Sequence, residues 1–123
     1  MQTKGRSKMA NAAYEKSFEY AVGIVKLAKE LTERRQYGLA NQLIRSGTSI
    51  GANVSESEYA QSIQDFVAKM SIALKEAAES RYWLKLLKET GDITAEDAQR
   101  LIGKVEEIIK ILTASVKTAK KKV

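Results

Sequence analysis

Residues 43–90 read LIRSGTSIGANVSESEYAQSIQDFVAKMSIALKEAAESRYWLKLLKET, and they decide the fold. Two helices meet near Ala60–Ser62. The first is rich in small residues: Ser46, Gly47, Ser49, Gly51, Ala52 and Ser55. Glycine inside a helix costs up to about 1 kcal/mol relative to alanine. Gly47 and Gly51 are four apart and so stack on one side of the helix. The compensation this predicts is close approach of a neighbouring backbone, which only glycine permits. The second helix carries more apolar surface than one buried stripe needs. Ile63, Phe66, Met70, Ala73, Leu74, Ala77, Leu84 and Leu87 form its main stripe. Ala68, Ile72, Tyr82, Trp83 and Leu86 fall on another side, among Lys75, Glu76 and Glu79. Apolar and aromatic residues gathered on a second side predict a protein interface, with Ile72, Tyr82, Trp83 and Leu86 as its candidates.

The flanking sequence supplies two more helices. Tyr14, Phe18, Ala21, Val25 and Ala28 recur at spacings of four and three, one helical face. With Asn11 as N-cap, they predict a helix over 11–35 with Phe18 in the core. Tyr20, Ile24, Leu27 and Leu31 lie off that stripe, and the last three are further interface candidates. Tyr37-Gly38 marks a turn into the second helix, 38–59. Ser62 with Asp65, and Thr94 with Asp97, are capping-box-like starts for helices over 62–90 and 94–119, with Gly91 ending the third. Ala98, Ile102, Val105, Ile109, Leu112 and Val116 make a heptad run, which Leu101 and Ile108 widen to a bundle-type face. Four helices on short loops predict an all-α, antiparallel up-down-up-down four-helix bundle. The expected organisation is a basic disordered arm over 1–10, the bundle over 11–119 and a basic tail over 120–123.

Composition narrows the chemistry. The 123 residues include no cysteine and no histidine, so thiolate chemistry, disulfides and the commonest general base and metal ligand are absent. Glu76 and Glu79 are three apart, but a di-iron bundle wants a Glu-x-x-His pair on each of two helices. No Ser/Lys pair has a context that would activate a serine. RSGTSIGAN matches almost nothing of a phosphate-binding loop, which needs Gly-Lys-Ser/Thr after a strand. The expectation is therefore no enzyme, no catalytic or metal-binding residues and no cofactor. No apolar run reaches membrane-spanning length and no apolar segment follows the basic N-terminus, so the expected location is cytoplasmic, with no membrane partner.

The formal net charge is +6, from 21 basic and 15 acidic residues. Seven of the basic ones, Lys4, Arg6, Lys8, Lys117, Lys120, Lys121 and Lys122, lie in end segments without an acid. The body is then left with a net of −1 (21 − 7 = 14 basic against 15 acidic). Two readings stand: solvated ends that aid solubility, or contact with RNA or single-stranded DNA through phosphate, tolerant of sequence. An even number of antiparallel helices brings both ends to one pole.

Residues 37–60, YGLANQLIRSGTSIGANVSESEYA, resemble the signature of the four-helix bundle family of 23S rRNA intervening-sequence proteins. Residues 65–87 match its third helix, including Ala73-Leu74-Lys75-Glu76-Ala77 and Glu79-Ser80-Arg81-Tyr82-Trp83-Leu84. The resemblance covers roughly 14–112, specific in the middle and pattern-level in the outer helices. It implies a bacterial protein whose small helical protomers form a homopentameric ring. Some relatives are encoded in insertions within ribosomal RNA genes. Others are similar to the accessory protein of diversity-generating retroelements, a basic pentamer that contacts nucleic acid and a reverse transcriptase. The family has no agreed catalytic residues to carry over. The near-neutral body departs from a broad basic binding surface. The function expected is a homo-oligomeric adaptor or accessory protein. The alternative is a dedicated nucleic-acid-binding protein acting with a reverse transcriptase or ribosomal RNA.

Overall fold

A computed structural model describes residues 8–122, and among these every regular element is a helix. The elements are α1 (Lys8–Glu33), α2 (Tyr37–Ser57), α3 (Ile63–Glu89) and α4 (Ala95–Lys120). Helices of 21 to 27 residues are joined by residues 34–36, 58–62 and 90–94. A three-residue connection reaches about 10 Å, far short of a return along a helix, so successive helices run antiparallel. Side-chain pairs carry the same message. Lys16 meets Glu107 and Glu19 meets Lys104, so numbers rise along α1 as they fall along α4. Arg45 meets Glu76 while Glu56 meets Lys69, the same relation between α2 and α3. Each helix packs on its sequence neighbours, and α1 closes on α4.

The caps explain the boundaries. Ser62 Oγ and Thr94 Oγ1 accept the backbone N–H of Asp65 and Asp97, each at 3.0 Å, fixing the starts of α3 and α4. Asp65 in turn accepts from the Gln61 N–H at 3.2 Å. At the end of α3, Gly91 has φ +77° while the Asp92 N–H reaches back to the Leu87 carbonyl at 2.9 Å. That is a Schellman ending. The end of α1 repeats it without a glycine: Arg35 has φ 65°, and the Gln36 N–H donates to the Leu31 carbonyl at 2.9 Å. The turn therefore falls at 34–36, and Tyr37-Gly38 is already the first turn of α2. A left-handed non-glycine residue costs roughly 1–2 kcal/mol, offset here by the Leu31 carbonyl and the Thr32 carbonyl, which accepts from the Arg35 N–H. Gln36 Nε2 donates to Asp92 Oδ1 at 3.1 Å, tying the α1–α2 and α3–α4 connections together at one pole. α1 starts at Lys8, so Asn11 lies inside the helix and is not its cap.

The core reverses one expectation. Tyr20, Ile24, Leu27 and Leu31 are buried, together with Ala13, Ser17 and Ala28. Phe18, the expected core residue, is 59% exposed. The reason is on α2. A Cβ placed on Gly47 would sit 2.7 Å from Ile24 Cγ2 and 3.2 Å from Ile24 Cβ, and one on Gly51 3.5 Å from the Ser17 carbonyl oxygen. The glycines let α1 come this close only with its Ser17–Ile24 side inward. The Tyr14–Phe18–Val25 stripe is rotated off the core by more than a quarter turn. α4 buries Ala98, Val105, Leu112 and Val116 of the heptad run together with Leu101 and Ile108, the widened bundle-type face, and leaves Ile102 and Ile109 half-buried. Phe66, also expected in the core, is half-buried against it.

One polar pair crosses the core. The Tyr20 hydroxyl and Ser80 Oγ lie 2.6 Å apart, α1 to α3 on the diagonal. Burial raises the Tyr20 pKa well above the usual tyrosine range, an effect that the Ser80 hydrogen bond partly opposes. The phenol stays neutral and can donate. Among the described residues no buried side-chain nitrogen or oxygen lacks a partner. Ser46 and Ser57 satisfy theirs by donating to the carbonyls of Gln42 and Val54, at 2.9 and 2.6 Å.

The Gly47 contact has a measurable consequence. Gly47→Leu overpacks the α1–α2 seam and should destabilise by about 1–3 kcal/mol in denaturant unfolding. Gly51→Ala meets only ordinary contact distances, and should be neutral or stabilising by up to about 1 kcal/mol. Equal effects at the two positions would contradict the packing described.

Candidate interaction surfaces

Ion pairs bridge α2 to α3 through Arg45–Glu76, Arg45–Glu79 and Glu56–Lys69. Around α4, intramolecular ion pairs bridge the helices: Lys16–Glu107 and Glu19–Lys104 to α1, and Arg81–Glu106 to α3. These are partly exposed pairs that contribute at most about 1 kcal/mol each. They leave charged surfaces comfortable in water.

Beside α2 the surface turns apolar in two places. On α3, Ile72 is 41% and Tyr82 58% exposed. Trp83 and Leu86 are half-buried. Trp83 packs against the protomer's own core, and its Nε1 donates to Glu79 Oε2 at 3.0 Å. The Tyr82 and Trp83 rings meet edge to face with centroids 5.0 Å apart. Glu79 and Glu76 also receive the Arg45 guanidinium from α2, which fixes the carboxylate that fixes the indole. The candidate set thus divides: Ile72 and Tyr82 face solvent, while Trp83 and Leu86 mostly back them.

The second apolar area, on α1, escaped the sequence reading as a surface. Phe18 is exposed and Val22 is 42% exposed. Tyr14 stacks on Phe18 at 6.2 Å, and Val25, Ala28, Ala40 and Ile44 line a shallow groove between α1 and α2 with Lys29 and Thr32. The signal was present in the sequence as two apolar stripes on one helix; periodicity does not say which turns inward. Ile24, Leu27 and Leu31 accordingly drop out as interface candidates, since all three are core.

The basic ends fall partly within the described residues. Lys117, Lys120, Lys121 and Lys122 are exposed at the end of α4. Ala119 and Lys122 line a shallow hollow with Ser57 at the end of α2 and Ala60 and Ser62 of the α2–α3 connection, so this basic segment shares a pole with residues 58–62. By the antiparallel order, α1 begins at that pole too, with Lys8 as its first residue. Lys4 and Arg6 lie outside the described residues. Lys117 and Lys120 occupy the last turn of α4, where positive charge suits the helix dipole. No group of three or more metal-ligating residues occurs among the described residues, and no helix is long and apolar enough to cross a membrane.

These features define a four-helix bundle with a basic pole and an apolar, α2-centred flank. The chain belongs to the 23S rRNA-intervening sequence protein family, whose match spans residues 9–114. It is similar to a crystal structure of a protein with unknown function from the S23 ribosomal protein family of Bacteroides thetaiotaomicron VPI-5482. Identity is 45% over 89% of this chain and 98% of that one, with a TM-score of 0.86. No curated protein matches the chain.

The division of the α3 patch can be measured. Tyr82→Ala should weaken self-association by roughly 2 kcal/mol, about thirtyfold in Kd, while leaving protomer unfolding nearly unchanged. Trp83→Ala should lower both, because its ring also covers the core. Unchanged association in Tyr82→Ala would remove this face from the interface.

Proposed function

We propose that the protein is a non-enzymatic, homo-oligomeric adaptor or accessory protein of the cytoplasm, assembled as a ring, with five copies as the number the family resemblance implies. The observation that carries this reading is the exposure of Ile72 and Tyr82 on α3, Tyr82 resting edge to face on Trp83, whose indole is hydrogen-bonded to Glu79. An aromatic and an aliphatic side chain positioned this way on a rigid helix resemble the anchor of a protein interface. The absence of histidine and cysteine from the whole chain supports a role in binding over one in catalysis.

A specific observation favours a second activity for the same assembly. Lys117, Lys120, Lys121 and Lys122 are exposed at one pole, and none forms an ion pair among the described residues. A ring with parallel protomer axes repeats that pole once per copy. Lysines gathered in this way bind phosphate by releasing counterions, with little regard for sequence. The ligand class is RNA or single-stranded DNA.

Light scattering on the full chain tests the first part: a mass several times 13.6 kDa is expected, and a monomer would contradict it. Fluorescence anisotropy with a structured RNA and a single-stranded DNA tests the second. Binding should fall steeply between about 50 and 200 mM salt. It should be lost in residues 10–116, which lack both basic ends but keep the core. Equal binding by 10–116 would move the site to the body, where Arg34, Arg35 and Arg45 are next; no binding by either at low salt would leave the adaptor role alone.

A further inference from the structure

In sequence the aromatic residues stand apart from the basic ends, but the fold brings two of them to the C-terminal lysines. Tyr59 is 71% exposed on the α2–α3 connection. Phe66 is half-buried in the first turn of α3, and Ile63, three residues before it and on the same face, is 37% exposed. Ile63 and Phe66 line the hollow of about 460 Å3 at this pole, with Ala60 and Gln61 from the connection and Ala119 and Lys122 from the end of α4. Lys117, Lys120 and Lys121 are exposed on the same helix end.

Each part of this pole suits one component of a nucleic-acid strand. The hollow falls within the range of about 300–1,000 Å3 typical of small-ligand clefts. An aromatic ring and a branched aliphatic chain in its lining suit a flat, π-faced group. The exposed Gln61 carboxamide can both donate to and accept from the edge of such a group. Across residues 56–69 and 117–122 there are five lysines and three acids. Two of those acids are engaged: Glu56 pairs with Lys69 at 3.1 Å, and Asp65 accepts from the Gln61 N–H at 3.2 Å. The four lysines of α4 and its end form no ion pair among the described residues. A duplex offers its phosphates to these lysines but keeps its bases paired and stacked inside. Only an unpaired base can leave the strand and meet an aromatic side chain.

We infer that this pole holds single-stranded nucleic acid by its bases as well as its phosphates. One unpaired base enters the hollow over Phe66, a neighbouring base stacks on the Tyr59 ring, and the lysines at the end of α4 hold the flanking phosphates. The inference rests on the polyanion reading above and adds a contact that phosphate alone cannot make. Stacking accepts any base, because every base has a π-face. What the site distinguishes is therefore unpaired from paired strands, with little preference for sequence.

Fluorescence anisotropy on the full chain tests this with four probes of about 12 nucleotides, a length within the site sizes of single-strand binders. They are an RNA strand, a DNA strand, a DNA duplex, and a strand of abasic sites that keeps the phosphates and lacks the bases. Tyr59→Ala should weaken binding of the two single strands by about five- to a hundredfold. It should leave the duplex and the abasic strand unchanged, and leave the salt dependence unchanged for every probe. Tyr59→Phe keeps the ring and should bind as the wild type does. Phe66→Leu keeps an apolar group against the core and should behave like Tyr59→Ala. Lys120→Gln combined with Lys122→Gln should instead weaken all four probes and flatten their salt dependence. Tyr59 is exposed, and helix content by circular dichroism verifies that each variant folds. No loss in Tyr59→Ala, or equal loss on all four probes, would overturn the inference, while the lysine effect would keep the polyanion reading standing. A wild-type chain that binds none of the probes at low salt would overturn both.

Discussion

The approach of Ile24 to Gly47 governs the rest of the structure. Without a Cβ at position 47, α2 admits the branched side chain of Ile24 to within contact of its own backbone. Gly51, one turn away, faces the Ser17 backbone with ordinary contact room for a Cβ. This seam sets which side of α1 faces the core. Tyr20 points across the core to Ser80, Leu27 and Leu31 close the far end, and the aromatic stripe of Tyr14 and Phe18 is turned outward. A helix with two apolar faces has to expose one of them, and the glycines decide which.

That decision links packing to function. The exposed stripe on α1 would be a liability in a protein that worked as a monomer, since apolar surface of this kind invites association. A second apolar area, Ile72 and Tyr82, is exposed on α3. Ion pairs bridge α4 to α1 and α3, and α2 to α3, while the apolar areas lie on α1 and α3. The basic segment 117–122 is displaced to a pole, away from both apolar areas. The proposed assembly and the proposed polyanion contact therefore draw on different surfaces of one bundle.

Much of this architecture is legible in the amino-acid sequence. The capping residues Ser62 and Thr94 and the C′ glycine at 91 fixed three boundaries because each acts through local hydrogen bonds. The small-residue run over 46–55 announced a close helix contact for steric reasons that hold in any tertiary setting. The choice between the Tyr14–Phe18 and Tyr20–Ile24 faces of α1 was not legible, because both have helical spacing and only the neighbour's shape distinguishes them. The same holds for Ile102 against Leu101 on α4. The turn at Arg35 was missed for another reason: arginine carries no preference for the left-handed conformation, and the nearby Gly38 drew the boundary two residues late. On α3, the spacing put Ile72, Tyr82, Trp83 and Leu86 on one side but could not show that Trp83 also belongs to the protomer's own core.

The dependence of the fold on the Ile24–Gly47 contact is open to a double-mutant cycle. Gly47→Ala, Ile24→Ala and the pair would be compared by denaturant unfolding. A methyl at position 47 collides with Ile24 in the wild type but has room beside alanine. Gly47→Ala should therefore be destabilising alone and close to neutral in the Ile24→Ala background, with a coupling of about 1 kcal/mol or more. Additive effects, within about 0.3–0.5 kcal/mol, would mean that the two residues do not share a seam and that something else sets the rotation of α1.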